Sequence, residues 1–396
     1  MVSRSVIAAV DIGTHRVRVV VGERRGYALY VRGAVATPIA ETTKSRPREV
    51  LDLLPTLRRA LEEAETMARA TPEVLVVGVG GAEAEIAPVR VSARRDPRTA
   101  VDDAEVEALV AAAQGEGAGA YVPEVFPRRF LLDGVQLADP RGYVGYELVF
   151  EGWQVRVSED VLEAYRDFLN RLERKAVFRF RPFAVLDLLT HAEEQREGVA
   201  VVDVGGWNTE LIAVKDAEHL VVESFPFGGA YLTRDVAHVL GISLADAEQL
   251  KLAHGVAHVQ EAADVEVLSF PSEKGEVNLR QTELAQILEA RLEEILTLVR
   301  SRLEEHALDP LPTYVFTGGT SALPGFTELV RRLFPGSVRV GHPQYMGVRH
   351  PSLSGAVALL HAEALAGLAD EGFRRHNGIC EEDWIRRVRE WLLERF

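Results

Sequence analysis

The feature that most constrains the fold of this chain is an internal repeat. Residues 6–14 read VIAAVDIGT and residues 199–206 read VAVVDVGG, so each copy is an apolar run that ends in Asp-x-Gly. A predicted β-hairpin follows each run, with strands at 17–23 and from 27 in the first copy, and at 209–214 and 219–223 in the second. Unbroken apolar runs are typical of strands buried on both faces of a sheet. The repeat predicts an α/β fold of two similar domains that face each other.

Length and charge set the class of protein. A chain of 396 residues exceeds what one hydrophobic core usually serves, and its formal net charge of -15 argues against general nucleic-acid binding. The single cysteine, Cys380, excludes a disulfide framework and a cysteine-based metal cluster. The sequence shows no signal peptide and no run of about 18 apolar residues. These features predict a cytoplasmic protein.

A distinct insert separates the two copies. Residues 82–158 mix short strands, a helix and a glycine-rich break, which predicts a small α+β domain inserted after a buried strand at 74–79. The predicted division is a first domain at 1–81, the insert at 82–158, a return to the first domain at 159–197, a second domain at 198–255, its outer part at 256–308, a return at 309–350, a final helix of the first domain at 351–368, a linker at 369–383 and a terminal helix at 384–396.

Three glycine motifs predict a phosphate site. In Asp-x-Gly the glycine lets backbone N–H groups approach phosphate oxygens, and the aspartate can hold Mg²⁺ directly or through water. Two such turns could grip a triphosphate from opposite sides, with Asp11 and Asp203 near the metal. Paired glycines, Gly318 and Gly319, follow a third strand and would let a flat ring lie against the backbone. The alternative is two ordinary turns in a duplicated scaffold.

In combination these motifs resemble the actin-like (ribonuclease H-like) ATPase superfamily, and most closely its FtsA family. In this chain DIGT at 11–14 resembles the first phosphate loop of the superfamily, and DVGG at 203–206 resembles the second. TGG at 317–319 resembles the adenosine motif. Further FtsA-like stretches are DIGTHRVR at 11–18, DG at 133–134, DPRG at 139–142, FPFGG at 225–229, AEQLK at 247–251 and RLEEI at 291–295. The position of the insert is similar to the subdomain called 1C in FtsA and PilM.

The resemblance implies roles for single residues. ATP and Mg²⁺ would be the cofactors, with the metal held at Asp11 and Asp203 through water. Asp187 falls where relatives carry the group that orients the attacking water. The residues implied to bind nucleotide are Gly13, Thr14 and Arg16 of the first loop, Gly205, Gly206 and Thr209 of the second, Gly228 and Gly229, then Glu248 and Lys251 at the ribose and adenine, and Gly318 and Gly319 at the adenine.

Two departures from the family pattern affect hydrolysis. Trp207 and Asn208 stand where the second loop usually has a third glycine and a threonine, and His15 replaces a small residue. A bulky side chain is costly where the backbone must approach a phosphate closely. We therefore predict nucleotide binding with, at most, slow hydrolysis.

The chain ends in a predicted amphipathic helix. At about 100° per residue, six apolar residues share one face: Trp384, Ile385, Val388, Trp391, Leu392 and Phe396. Aromatic residues flanked by arginines suit a lipid interface, and a helix of this length is too short to span a bilayer. It would lie in the membrane plane. The alternative is a terminal helix that docks on its own body or on a protein partner.

The resemblance to FtsA implies a place in cell division. Such a protein would self-assemble into protofilaments, bind the FtsZ C-terminal peptide, recruit later division proteins and lie on the cytoplasmic face of the inner membrane at the division site. One rival is a PilM-like scaffold of type IV pilus assembly, which would lack the terminal helix. The other is a small-molecule kinase of the same superfamily, for which the sequence shows no sugar pocket.

Overall fold

The structure is a computed structural model, and it describes residues 4–39, 52–72, 74–115, 120–121, 124–137, 139–172, 174–216, 218–272 and 275–377. The first half comprises β1 (Arg4–Ile12), β2 (Arg16–Arg25), β3 (Ala28–Pro38), α1 (Leu54–Ala68), β4 (Val74–Val79), the insert β5 (Ala84–Arg94), α2 (Asp103–Gly115), β6 (Ala120–Tyr121), β7 (Val125–Leu132), β8 (Val135–Leu137) and β9 (Glu147–Ser158), and then α3 (Glu159–Leu172), β10 (Ala176–Phe180), α4 (Arg181–Leu189) and α5 (Ala192–Glu197).

The second half repeats this strand pattern. Its elements are β11 (Val199–Val204), β12 (Thr209–Lys215), β13 (His219–Phe225), α6 (Gly229–Leu240), α7 (Leu244–His254), β14 (Glu266–Ser272), β15 (Gly275–Arg280), α8 (Gln281–Glu305), β16 (Thr313–Thr317), α9 (Phe326–Leu333), β17 (Ser337–Val340) and α10 (Ser354–Asn377).

The two main sheets have the same topology. The first has the strand order β10-β4-β1-β2-β3 and the second β17-β16-β11-β12-β13. In each, the central strand pairs antiparallel with the hairpin on one side and parallel with later strands on the other. The internal repeat read from the sequence is thus a repeat of structure.

Helices cover both faces of each sheet, which explains the unbroken apolar strands. α4 and α10 lie between the sheets and share one core with them; Ala9, Phe183, Val201 and Val357 are among its members. α1 and α3 cover the outer face of the first sheet, and α6, α8 and α9 that of the second. Because β1 and β11 both end beside α4 and α10, the turns that follow the two strands meet at one end of the helix layer.

The insert is a separate small layer. β5, β9, β7 and β8 form its sheet, β6 pairs with β9, and α2 packs over it around Val106, Phe130 and Phe150. It follows β4 in the chain and leads into α3.

The last helix differs from the sequence prediction. α10 continues to Asn377, past residue 369 where the linker was expected to begin. The segment 384–396, with its six apolar residues, lies outside the described residues. Within the ranges given above, no helix is both long enough and apolar enough to cross a membrane.

Candidate functional site

A cavity of about 340 Å³ lies where the two sheets end. The turn after β1 supplies Asp11, Gly13 and Thr14 to its wall, and the turn after β11 supplies Asp203, Gly205 and Gly206. Gly318 and Gly319 after β16 also line the cavity. The fold therefore brings together all three motifs that the sequence singled out. A cavity of about this size suits a small molecule.

The glycines of these turns form backbone hydrogen bonds within the turns, and some have neighbours too close for a side chain. Gly13 N–H donates to Arg16 O over 3.1 Å and Gly205 N–H donates to Asn208 O over 2.9 Å, which closes each turn. Gly318 has φ +91°, and a Cβ there would lie 2.3 Å from an Asp203 carboxylate oxygen. Only glycine fits without strain at this position.

His15 and Trp207, which depart from the family pattern in the first and second loops, contact each other. The His15 and Trp207 rings are stacked, with centroids 6.1 Å apart and planes 8° apart. The Trp207 N–H of the backbone donates to Thr14 Oγ1 over 3.2 Å, and the Arg234 guanidinium lies 4.2 Å from the Trp207 ring centroid. The stack joins the first loop to the second, so it ties the two domains together beside the cavity.

Arg181 lies in the cavity wall, although it belongs to none of the sequence motifs. As the first residue of α4 it places Nη1 2.8 Å from Asp11 Oδ1 and Nη2 2.6 Å from Glu210 Oε2. Burial alone would lower the pKa of Arg181, but Glu210 and Asp11 raise it well above its ordinary value. The residue is a permanent cation that joins the first domain to β12 of the second.

The two aspartates of the motifs have different surroundings. Burial raises the pKa of Asp11, but Arg181 and Arg18 outweigh it and leave the pKa below its usual value; Arg18 Nη1 is 3.7 Å from Asp11 Oδ2. For Asp203, burial dominates and raises the pKa to about 6. No ion pair holds Asp203 among the residues that the structure describes. Asp11 is therefore a compensated charge, and Asp203 is not.

The two aspartates differ in how each could meet the predicted magnesium ion. Mg²⁺ usually keeps several waters and binds one or two carboxylates, so a carboxylate that is already engaged would reach the ion through water. Asp11 is already engaged by Arg181 and Arg18, which leaves Asp203 alone of the predicted pair. In the described part of the chain, no group of three or more His, Cys, Asp and Glu residues is arranged to hold a metal.

Several predicted residues support the second loop instead of lining the cavity. Thr209 is buried and its Oγ1 donates to Phe227 O over 2.8 Å, while Gly229 N–H donates to Gly205 O over 2.9 Å. Gly228 lies so close that a Cβ there would be 2.7 Å from Gly206 O. Lys251 Nζ donates to Gly229 O over 3.0 Å and to Glu248 Oε2 over 2.7 Å. Lys251 and Glu248 therefore support the second loop through the backbone of Gly229.

Two predicted residues lie elsewhere. The Arg16 side chain is exposed and its Nη1 donates to Ala36 O over 3.4 Å. Asp187 is not part of the cavity wall, and its Oδ1 accepts a hydrogen bond from Gln195 Nε2 at 3.4 Å. The structure places Arg181, from the start of the same helix, in the cavity. An Arg-Pro pair directly after an apolar strand was the only sequence signal for it.

The amino-acid sequence is similar to that of FtsA proteins from several bacteria. Residues 200–358 match the family described as "Cell division protein FtsA". FtsA of Bacillus subtilis is 28% identical over 371 residues, covering 91% of this chain and 84% of that protein. FtsA of Pseudomonas aeruginosa is 27% identical over 374 residues, covering 90% and 89%. The resemblance to FtsA predicted from the sequence is confirmed.

Solved structures confirm the actin-like fold. The PilM-PilN type IV pilus biogenesis complex matches with a TM-score of 0.62 at 16% identity, covering 93% of this chain and 99% of that one. A diol dehydratase-reactivating factor in nucleotide-free form matches with a TM-score of 0.51 at 11% identity, covering 91% and 100%. At such identities the likeness shows the fold alone.

Proposed function

We propose that this chain, an FtsA-like protein with an actin-like fold, binds ATP in the cleft between its two repeated domains and serves as a self-assembling adaptor in cell division. The observation that carries the proposal is the convergence of three glycine turns, after β1, β11 and β16, on one cavity of about 340 Å³. Backbone N–H groups at such turns are suited to phosphate oxygens. The paired glycines at 318–319 leave a flat surface for the base.

Hydrolysis is proposed to be slow at most. The His15 and Trp207 stack occupies the space beside the phosphate loops, and Arg181 stands at the cavity wall with its charge already bound by Asp11 and Glu210. Asp187, which the resemblance implied would orient the water, is turned toward Gln195. No carboxylate of this helix is therefore available in the cavity to take a proton from water.

The adaptor role rests on the resemblance to FtsA and on the sequence of the chain end. In this proposal residues 384–396 lie on the cytoplasmic face of the inner membrane at the division site, and the body binds the FtsZ C-terminal peptide and other copies of itself. A pull-down that recovers FtsZ supports this role. Recovery of pilus assembly proteins instead would support the PilM-like alternative.

Gly319 allows a direct test of the nucleotide site. A Cβ added at Gly319 would meet only Ser352 Cβ at 3.7 Å, an ordinary contact, so Gly319→Leu should fold while filling the cavity. Gly115→Leu is the matched control, because no atom lies within 4 Å of a Cβ at Gly115. We expect calorimetry to show ATP binding by the full chain and by Gly115→Leu, and at least about tenfold weaker binding by Gly319→Leu. Equal affinity of all three proteins would place the nucleotide elsewhere.

A further inference from the structure

We propose that the insert is a strut between the two repeated domains. It is anchored on the first domain and binds Glu218 of the second with Arg128 and Arg129, and this contact holds the cleft closed around the nucleotide proposed above. Arg128 and Arg129 lie on β7, and Glu218 lies in the turn between β12 and β13. The wall of the cavity includes none of these three residues, so the contact is separate from the nucleotide site itself.

The insert is anchored on the first domain through β7. Phe126 of β7 packs on Phe183 of α4, with ring centroids 5.0 Å apart. Just before β7, Glu124 Oε2 accepts a hydrogen bond from the backbone N–H of Phe180 over 3.2 Å, and Glu124 Oε1 lies 3.7 Å from Arg179 Nη1. Glu124 and Arg179 are both buried. If β7 moved with the second domain, it would break these buried contacts with the first.

A β-bulge in β7 brings two consecutive side chains to Glu218. The pairing of β7 with β9 shifts register between Pro127 and Arg129, so Arg128 is an extra residue in the strand. Consecutive side chains of a regular strand point to opposite faces, whereas a bulge re-aims them. Here Arg129 Nη1 lies 3.0 Å from Glu218 Oε1, and Arg128 pairs with Glu218 Oε2. One carboxylate of the second domain thus receives both guanidinium groups, one at each oxygen.

The insert by itself has an excess of positive charge at this place. Three arginines pair with one carboxylate of the insert, that of Glu151 on β9; they are Arg90, Arg128 and Arg129. Burial and the neighbouring Arg129 lower the pKa of Arg128, as expected for like charges held close together. Glu218 supplies a second negative charge, and its side chain is only 30% exposed. Because partly buried pairs are screened by salt less than exposed ones, the contact should persist at physiological ionic strength.

The turn that carries Glu218 is fixed within the second domain. Glu218 N–H donates to Lys215 O over 3.2 Å, and Asp216 N–H donates to Arg196 O over 3.2 Å. Nearer the cleft, Gly81 N–H, just before the insert, donates to Glu210 Oε1 on β12 over 2.8 Å. One hairpin of the second domain is therefore held at two separate places. A rotation of this domain that opens the cleft should strain the ion pairs at Glu218.

The first test measures the distance between the two domains in the nucleotide-free full chain. Spin labels are attached at exposed positions through Arg166→Cys on α3 and Leu252→Cys on α7, with Cys380→Ser because Cys380 is the only native cysteine. Double electron-electron resonance should give a narrow distribution of distances for this labelled parent and a broader one after Glu218→Gln. Arg90→Gln removes an ion pair within the insert and is the control, which should match the parent. A Glu218→Gln distribution equal to that of the parent overturns the inference, and so does equal broadening by Arg90→Gln.

The second test measures how fast a fluorescent ATP analogue, N-methylanthraniloyl-ATP with magnesium, leaves the full chain in a stopped-flow instrument. We expect Glu218→Gln to release the analogue about threefold faster or more, because loss of one partner of a charge pair acts mainly on dissociation. Arg129→Gln should act in the same direction, and the two substitutions together should be no faster than the faster single one. Additive effects, or release by Glu218→Gln at the parent's rate, overturn the inference. Absence of binding by the unaltered protein overturns the proposed function instead, and the distance measurement then still decides whether the insert is a strut.

Discussion

Arg181 on helix α4 forms a 2.6 Å ion pair with Glu210 on strand β12, so one guanidinium joins the two repeated domains at the floor of their cleft. The same side chain holds Asp11 at 2.8 Å. The pair is enclosed, with side-chain exposure of 17% for Arg181 and 7% for Glu210. Removing one partner of a buried ion pair destabilises a protein more than removing one partner of a surface pair. The reason is that the other charge stays buried without compensation.

Removing Arg181 should therefore destabilise the protein strongly. Arg181→Met leaves Asp11 and Glu210 buried without their cation, and we expect the free energy of unfolding to fall by about 3–5 kcal/mol. Arg166→Met is the control, since Arg166 and Glu159 are half exposed and such a pair contributes about 0–1 kcal/mol. Urea denaturation followed by circular dichroism measures both. Equal effects of the two substitutions would mean that the bridge adds nothing to stability.

The raised pKa of Asp203 predicts a pH-dependent stability. Between its ordinary value of 3.8 and the folded value of about 6, the folded state holds a proton that the unfolded state has released, so stability falls as pH rises through this window. Asp203→Asn removes this cost. It should stabilise the protein at pH 7 by up to about 3 kcal/mol, with the gain shrinking toward pH 4.

Chemical denaturation at several pH values checks this expectation. Asp167→Asn, at an exposed position on α3, serves as the control and should show no comparable pH-dependent gain. An Asp203→Asn protein that is less stable than the parent at pH 7 would show that the ionised carboxylate is favourably held in the folded state.

The contact between His15 and Gly206 predicts a coupled pair of substitutions. A Cβ on Gly206 would lie 2.0 Å from His15 Cδ2, so Gly206→Ala must displace the ring and should cost about 1–3 kcal/mol. In a His15→Ala background the added methyl group has room, and the cost should largely disappear. A double-mutant cycle from denaturation curves gives the coupling. Additive effects would mean that the loops separate freely.

The chain end supplies a prediction on membrane binding. Trp391→Glu removes apolar area worth roughly 1.5–3 kcal/mol and adds a charge that anionic lipid repels, so it should release the protein from liposomes. Glu390→Ala, on the polar side of the predicted helix, should remain bound. Sedimentation with anionic liposomes compares the two, with ATP binding as a check on the body. If Trp391→Glu pellets as the parent does, the segment binds protein and not lipid.

The sequence predicted the duplicated sheets and the meeting of the three glycine turns because each depends on a local pattern. An apolar run that ends in Asp-x-Gly fixes both a buried strand and the turn after it. In the structure β1 and β11 are the central strands of the two sheets, and β16 pairs with β11, so the turns after all three lie at the same cleft. These parts of the site required no knowledge of side-chain contacts.

Arg181 could not be found in this way, because its role depends on tertiary placement. The residue carries no motif, and it reaches the cleft only because β10 and α4 bring it beside the end of β1. Asp187 lies on the same helix, but at about 100° per residue its side chain points about 120° away from that of Arg181. Similarly, His15 and Trp207 stood out singly in the sequence, whereas their stacking required both loops to be in place.

Helix α10 begins at the cleft, where Ser354 Oγ accepts a hydrogen bond from Thr317 Oγ1 at 2.8 Å and a Cβ on Gly355 would lie 2.8 Å from an Asp11 oxygen. At about 1.5 Å per residue its 24 residues span about 36 Å. The helix thus connects the glycine turns of the cleft to Asn377 at its far end. Over that length, a tilt of about five degrees at the cleft would move Asn377 by about 3 Å.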